Sequence, residues 1–308
     1  MRAAPFAFVL CLLASAAPAR ADDDDRTPPA GAARDRFGAL ESKYLFGFSY
    51  GTDLGEVGDL EIGIESGANL GRRTGRYTVF DSEIGIERVP IPRVEIELAA
   101  HMGAFRIKNA PGYDDITRTA PTGIANRWRF QILQRGRDAP FGLAFSVEPT
   151  VSRRDSETGR ATTSVSGDIR LLADYEFVAR RLYGAINLGY QPQAMRTPFS
   201  LASDEPPFQW RHYATLSASA AFAWRVAPNL TAGGEVSYQR AHDTLGLARY
   251  AGQALYAGPT LYWKFQPNAF FAATAQPQLW GRAVGENHTR DLTNFTAARA
   301  KARLEFEF

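Results

Sequence analysis

Acidic and basic side chains recur at every second or fourth position in separate stretches of this chain. Glu61 and Glu65, Glu83 and Glu87, and Glu95 and Glu97 fall in three successive segments, and Arg127 and Arg129 follow in a fourth. Arg299, Lys301 and Arg303 come just before the carboxy terminus. Even spacing puts such residues on one face of a β-strand. The three glutamate segments therefore predict an acidic wall, bracketed on both sides by basic strands if the last strand closes against the first. Asp168, Arg170 and Arg211 carry the same inward register further along the chain. Two roles fit the set. It can make a transverse field in a narrow lumen that orients a charged or dipolar solute, or form a cross-strand salt-bridge lattice that fills and stiffens the interior.

Other constellations are weaker. Gly47-Phe48-Ser49-Tyr50-Gly51 fits G-x-S-x-G, but that nucleophile pattern works on a strand-to-helix elbow, and no helical period surrounds it. No His or carboxylate spacing resembles a zinc site, so neither metal nor cofactor is expected. The run Asp22 to Asp25 reads as a solvated tail.

The elements that must position these groups are strands. Twelve segments alternate with period two. The first is Val57 to Gly67, the second Tyr77 to Val89 and the third Arg93 to Ile107. The last is plainest: Ala298, Ala300, Ala302, Leu304, Phe306 and Phe308 alternate with charged residues. Links between segments alternate in length. Short ones, such as Pro90 to Pro92 and Ala179 to Arg181, fall at one end, and longer ones, such as Lys108 to Arg118 and Pro192 to Pro207, at the other. Phe130, Phe141, Phe177, Trp224, Trp263, Phe265, Phe306 and Phe308 cluster beside the short links. Tyr190, Trp210, Tyr238 and Phe295 cluster beside the long ones. Two aromatic girdles, an even strand count and alternating apolar and polar faces predict an all-β fold, a twelve-stranded antiparallel transmembrane barrel. A secreted sandwich or propeller explains the alternation but not the girdles or the terminal aromatic.

Arg2, the apolar stretch Ala3 to Ala17 and Ala19-Arg20-Ala21 form a secretory signal pattern over residues 1–21. Its removal takes away Cys11, the single cysteine, and leaves 33 basic against 33 acidic residues. That balance argues against a nucleic-acid surface. Residues 22–43, rich in Asp, Ala, Arg and Pro, read as a disordered periplasmic segment, and residues 44–308 as the barrel. Within the latter, Tyr44 to Tyr50 can extend strand one, lie at the interface or fold into the lumen. The four-proline stretch Pro192 to Pro207 reads as an exposed loop or an inward constriction.

The signal pattern, the alternating strands and the final Leu304-Glu305-Phe306-Glu307-Phe308 resemble the outer-membrane β-barrels of double-membrane bacteria. That resemblance implies an outer-membrane location with both termini periplasmic and outer-membrane lipid as a neighbour. It also implies that the barrel assembly machinery reads Leu304, Phe306 and Phe308. Gly51-Thr52-Asp53 with Gly55, Gly58 and Glu61, and the later Ile84-Gly85-Ile86-Glu87, look similar to uncharacterised transporter-like barrels grouped with phenol-degradation pathway proteins. This second resemblance implies a passive route for small organic compounds. The expected function is a narrow channel or transporter for small organic or charged solutes. A closed structural barrel acting through its outer loops is the alternative, and an outer-membrane hydrolase comes third. Against the hydrolase, His101, His212, His242 and His288 each lack the serine two residues on that outer-membrane lipid hydrolases pair with histidine. Barrel proteases need Asp and His at the outer rim, and His242-Asp243 and Asp114-Asp115 lie in candidate outer loops, where such pairs are expected by chance.

Overall fold

The computed structural model describes residues 40, 42–136, 139–198 and 208–308. The expected signal segment, most of the expected disordered segment and residues 199–207 of the four-proline stretch lie outside the described residues. Twelve strands follow one another: β1 Leu60–Leu70, β2 Arg76–Ile91, β3 Val94–Lys108, β4 Ile116–Leu133, β5 Phe141–Arg154, β6 Ala161–Val178, β7 Leu182–Arg196, β8 Trp210–Ala227, β9 Leu230–His242, β10 Tyr250–Gln266, β11 Ala269–Ala283 and β12 Ala298–Glu307. Each pairs antiparallel with its neighbours in sequence, and β12 returns to pair with β1, closing the barrel. Closure removes every free strand edge, which lets a sheet exist where no water can satisfy its backbone.

The register settles the faces. Glu61, Glu65, Glu83, Glu87, Glu95 and Glu97 share one side, with Glu61 opposite Glu87 and Glu307, and Glu87 opposite Glu97. The other side carries Leu60, Ile64, Ile84, Ile86, Leu98, Met102, Ile124, Leu171, Ile186, Leu188, Phe222 and Leu261, all with more than a third of their surface open. An exposed apolar belt around an interior of buried charge is the inverse of a water-soluble protein and is what a lipid solvent requires. Phe130, Phe141, Phe177, Trp224, Trp263 and Phe308 stand exposed beside the short turns. The girdle at the other end differs by one member. Phe295 is 9% exposed and packs inward on Tyr256 and Ala254, while Trp280, outward on β11, is 43% exposed. Phe295 belongs to a loop that folds over the mouth, so strand parity does not govern it.

Several boundaries move: β1 runs on to Leu70, β2 to Ile91 and β3 to Lys108. β1 begins at Leu60 rather than Val57, which is 56% exposed ahead of it. Pro192, expected in a loop, lies inside β7 opposite Ala214, and the strand continues to Arg196. Its missing N–H falls where the ladder to β6 is interrupted, between the pairs Ser166–Gln193 and Ile169–Tyr190.

Candidate functional site

The barrel interior is occupied at the short-turn end. Leu40, Ser42, Lys43, Tyr44, Leu45, Phe46, Ser49, Tyr50 and Thr52 are all at most 8% exposed, although they precede the first strand. Of the three placements open to Tyr44 to Tyr50, the lumen is the one adopted. Leu40, Ser42 and Lys43 correct the expected reach of the disordered segment to residue 43, because their side chains are needed inside. The segment doubles back on itself: Leu45 N–H donates to Ser42 O at 3.2 Å and Gly51 N–H to Lys43 O at 3.2 Å. Glycine is demanded at the crossing, since a Cβ on Gly51 would lie 2.4 Å from Ser42 O. A Cβ on Gly47 would likewise lie 2.5 Å from Glu235 Oε2 and 2.7 Å from Thr274 Cβ.

This plug is held by side chains of the wall. Asn187 Oδ1 accepts from Tyr50 N–H at 2.7 Å while its Nδ2 donates to Tyr50 O at 2.9 Å. Glu235 accepts from Phe48 N–H at 2.7 Å and from Ser49 Oγ at 2.8 Å. Asp174 accepts from Thr52 N–H at 3.1 Å, from Thr52 Oγ1 at 2.9 Å and from Ser42 Oγ. Gln131 Nε2 donates to Thr52 O at 3.0 Å, and Arg135 pairs with Asp53. An apolar core of Leu40, Tyr44, Leu45 and Phe46 packs against Ala144, Leu172, Tyr183, Tyr262 and Phe270. The wall keeps small residues such as Ala144 and Ala223 inward, leaving room for it.

Beside the plug lies the acidic wall. Lys43 Nζ stands 2.9 Å from Glu61, 2.5 Å from Glu87 and 2.7 Å from Glu95, all essentially dry. Arg303 pairs with Glu87 and Glu305 and reaches Glu65 at 3.4 Å and Glu83 at 3.7 Å. Arg127 pairs with Glu97 and lies 2.5 Å from Glu148, and Arg129 lies 3.3 Å from Glu95. Lys301 reaches Glu65 at 3.3 Å. Adjacent strands of opposite charge thus join into one lattice, and a lysine from the plug supplies a cation the wall lacks. Glu61, Glu87 and Glu305 bring carboxylate oxygens within 4.8 Å of one another, a repulsion the Lys43 ammonium offsets at Glu61 and Glu87.

Aromatics of the plug face the cations. The Tyr50 ring has Lys301 at 4.5 Å, Arg170 at 5.1 Å, Arg129 at 5.4 Å and Arg127 at 5.7 Å from its centroid, and Phe48 lies 3.9 Å from Arg299. Arg170 also holds Asp168 at 2.5 Å. A polar cavity of about 150 Å³ remains between Tyr50, Glu65, Glu83, Arg127, Arg129, Ser146, Glu148, Asp168 and Arg170. Both signs of charge line it, so its chemistry suits a small zwitterion or a few waters better than an apolar molecule. Arg211 stands apart, opposite Met195 near the long-loop end. A larger concavity of about 690 Å³ lies on the apolar outward face among Ala173, Gly184, Ile186, Ala220, Phe222 and Gly234, apart from the charged lumen.

Four of the described long loops are tied together at the other end. Arg72 donates to Thr293 O at 3.1 Å and Phe295 O at 2.9 Å, pairs with Glu157 at 3.0 Å, and lies 4.9 Å from the Tyr77 ring and 5.3 Å from the Tyr113 ring. One guanidinium therefore joins four loops. Arg160 Nε donates to Asp114 at 2.6 Å, and that bond holds the Asp114 carboxyl below its ordinary range. Burial pushes the Tyr113 phenol up to about 12.

Of the hydrolytic candidates, Ser49, His101 and Asp114 are held by other partners, Asp114 by Arg160. Ser49 hydrogen-bonds Ser219 and Glu235 with no histidine at hand, and His101 faces Asp81 at 3.7 Å and Glu83 at 3.5 Å without a serine. Strand parity misses the plug's own members, Lys43, Phe48 and Tyr50, which precede the first strand; Asp174, Asn187 and Glu235, which grip it, hold inward positions on β6, β7 and β9. Glu148 and Glu305 were legible as inward acids.

Residues 39–308 match the model of DUF6662, a family of unknown function. No curated protein is similar in sequence. Among solved structures, the COG4313 outer membrane channel from Pseudomonas putida F1 aligns with a TM-score of 0.55 at 10% identity, over 83% of this chain and 98% of that one. The KdgM porin in complex with oligogalacturonate aligns at 0.43 and 10% identity over 81% and 99%. The P. putida toluene transporter TodX aligns at 0.40 and 7% over 82% and 90%. The first of these likenesses establishes the shared barrel fold.

Proposed function

The chain belongs to DUF6662, a family of unknown function, and for it we propose an outer-membrane channel whose lumen is gated by its own N-terminal segment. The observation that carries this reading is the way the plug is held. Side-chain hydrogen bonds and ion pairs from Glu61, Gln131, Asp174, Asn187 and Glu235 grip residues 42–53, and the plug adds no strand to the closed sheet. Such contacts can be exchanged for water one at a time, whereas a ladder would have to unzip. Small charged or dipolar organic solutes are the cargo class that a lumen lined by both signs of charge suits. The glycine-rich likeness to barrels grouped with phenol-degradation proteins selects small aromatic acids as the first probes. The barrel lies in the outer membrane of a double-membrane bacterium with both termini in the periplasm, and the assembly machinery reads Leu304, Phe306 and Phe308 there. A closed structural barrel is the second reading, favoured by the dry lattice around Arg303.

Planar-bilayer recording separates the two. Ser49 Oγ and Ser219 Oγ are 2.6 Å apart, so Ser49→Cys with Ser219→Cys can lock the plug in a chain whose only natural cysteine is Cys11. Discrete openings in wild type that vanish in the oxidised pair and return on reduction support the gated channel. Silence of folded wild type and of a plug-released variant alike supports the closed barrel. Equal conductance with the lock on or off rejects the plug as gate.

A further inference from the structure

The outward face carries a charge asymmetry that the lumen does not explain. Every Asp and Glu within the twelve strands points inward by register, so the lipid face has no acid among the described strands. Cations do occur there, and nearly all sit at one end. Arg76, Arg106 and Lys108 occupy the last outward positions of β2 and β3 at the long-loop end, and all three are exposed. Arg153, Arg196, Arg240 and Arg282 hold equivalent exposed places on β5, β7, β9 and β11. The short-turn end has Arg88 alone among outward strand positions.

The β2–β3 group is the densest. Arg76 lies directly opposite Lys108, and Arg106 opposite Thr78 in the next pair. Like charges placed opposite each other cost stability unless an anion lies between them. None of the three has an ion-pair partner among the described residues. The one carboxylate at the depression of about 280 Å³ they line is Asp115, which accepts the Asn109 N–H at 2.7 Å. Moving toward the barrel centre on the same face, the pairs become Thr78 with Arg106, Phe80 with Ala104, Ser82 with Met102, and Ile84 with Ala100. A neighbouring depression of about 390 Å³ joins Arg106 to Thr78, Phe80, Thr117 and Thr119. Charge, then hydroxyls, then apolar surface is the order of a phosphorylated headgroup above its acyl chains.

We propose that Arg76, Arg106 and Lys108 form a binding site for the phosphate groups of a phosphorylated glycolipid in the outer leaflet. The site rests on the outer-membrane placement and not on conduction, so it stands or falls separately from the gated channel. Basic residues at a bilayer surface each contribute on the order of 1 kcal/mol toward anionic lipid, so losing three weakens binding about 100-fold. The remaining arginines extend the same belt around the barrel and set a weaker background.

Wild-type protein, refolded in uncharged detergent, is titrated with bisphosphorylated lipid A and with the same lipid after phosphatase treatment, and retained lipid is counted by native mass spectrometry. Preference for the bisphosphorylated form of tenfold or more supports the site and needs no variant. R76Q/R106Q/K108Q is expected to lose about 100-fold in affinity, while R88Q at the opposite end keeps wild-type affinity. Equal binding of the two lipids overturns the proposal. So does displacement of lipid by millimolar inorganic phosphate, which marks a general anion site, or loss of affinity in R88Q equal to that in the triple variant.

Discussion

Replacing Lys43 by methionine keeps the length and the apolar stem of the side chain and removes only the ammonium. Three buried carboxylates then face an apolar tip. Removing one partner of a buried ion pair costs about 3–5 kcal/mol, because the other charge is left dry and uncompensated. The lattice decides where in that range the effect falls. Glu87 keeps Arg303 and Glu95 keeps Arg129, whereas Glu61 has Lys43 as its one ion-pair partner among the described residues. The low end, about 3 kcal/mol, is therefore expected. That cost is felt with the plug seated and is relieved when the plug leaves and water enters. At about 1.4 kcal/mol per decade the seated-to-released ratio falls roughly a hundredfold. Single-channel recording of refolded Lys43→Met should show open probability rising by that factor until it saturates, and Lys43→Arg should stay near wild type. A second change, Glu61→Gln, removes the orphaned charge and should restore most of the closed time. An open probability within threefold of wild type, in a barrel whose heat-modifiable migration proves it folded, would refute the reasoning.

Arg303→Met removes the cation shared by Glu87, Glu305, Glu65 and Glu83 at the β1–β12 seam and should lower unfolding free energy in urea by about 3–5 kcal/mol. A loss under 1 kcal/mol would mean the lattice relaxes around the gap. Arg72→Ala unties the loops around Glu157, Thr293 and Phe295 and should expose them to limited proteolysis at least tenfold faster, with the strands unaffected. The Arg160 bond holds Asp114 below its ordinary value, so this loop tie is present above the unfolded carboxylate range and is lost as pH falls through the lowered value. Hydrogen-exchange protection factors at residues 109–115, corrected for the intrinsic pH dependence of exchange, should therefore be unchanged from pH 7 to 5 and fall only in stronger acid. Phe308 N–H donates to Leu60 O at 2.8 Å, so deleting Phe308 frays the closing seam. Yield of assembled barrel in the outer membrane should drop at least fivefold, and an undiminished yield would remove Phe308 from the assembly signal.

Period-two alternation is sufficient to specify the barrel. Its signal is local: Ile62 and Glu61 need only their neighbours to be sorted to opposite faces, and β12 can be read from Ala298 to Glu307 one residue at a time. The same parity identified Glu61, Glu65, Glu83, Glu87, Glu95, Glu97, Arg127, Arg129, Lys301 and Arg303 as inward, and their pairing follows from strand order alone. What fills the lumen does not. Residues 40–53 have no period, because each side chain answers a different wall residue: Lys43 the glutamates of β1, β2 and β3, Tyr50 the amide of Asn187, and Phe48 the guanidinium of Arg299. Those partners lie from 18 to 251 residues away, too far for any sequence pattern to link them. Phe295 and Arg72 show the same limit at the other end, where loops close over the mouth by contacts among themselves. Which faces meet lipid depends on alternation, which is local to each strand. Only the closed tertiary structure could decide whether the space inside stays empty, because that depends on the sum of contacts from nearly every strand.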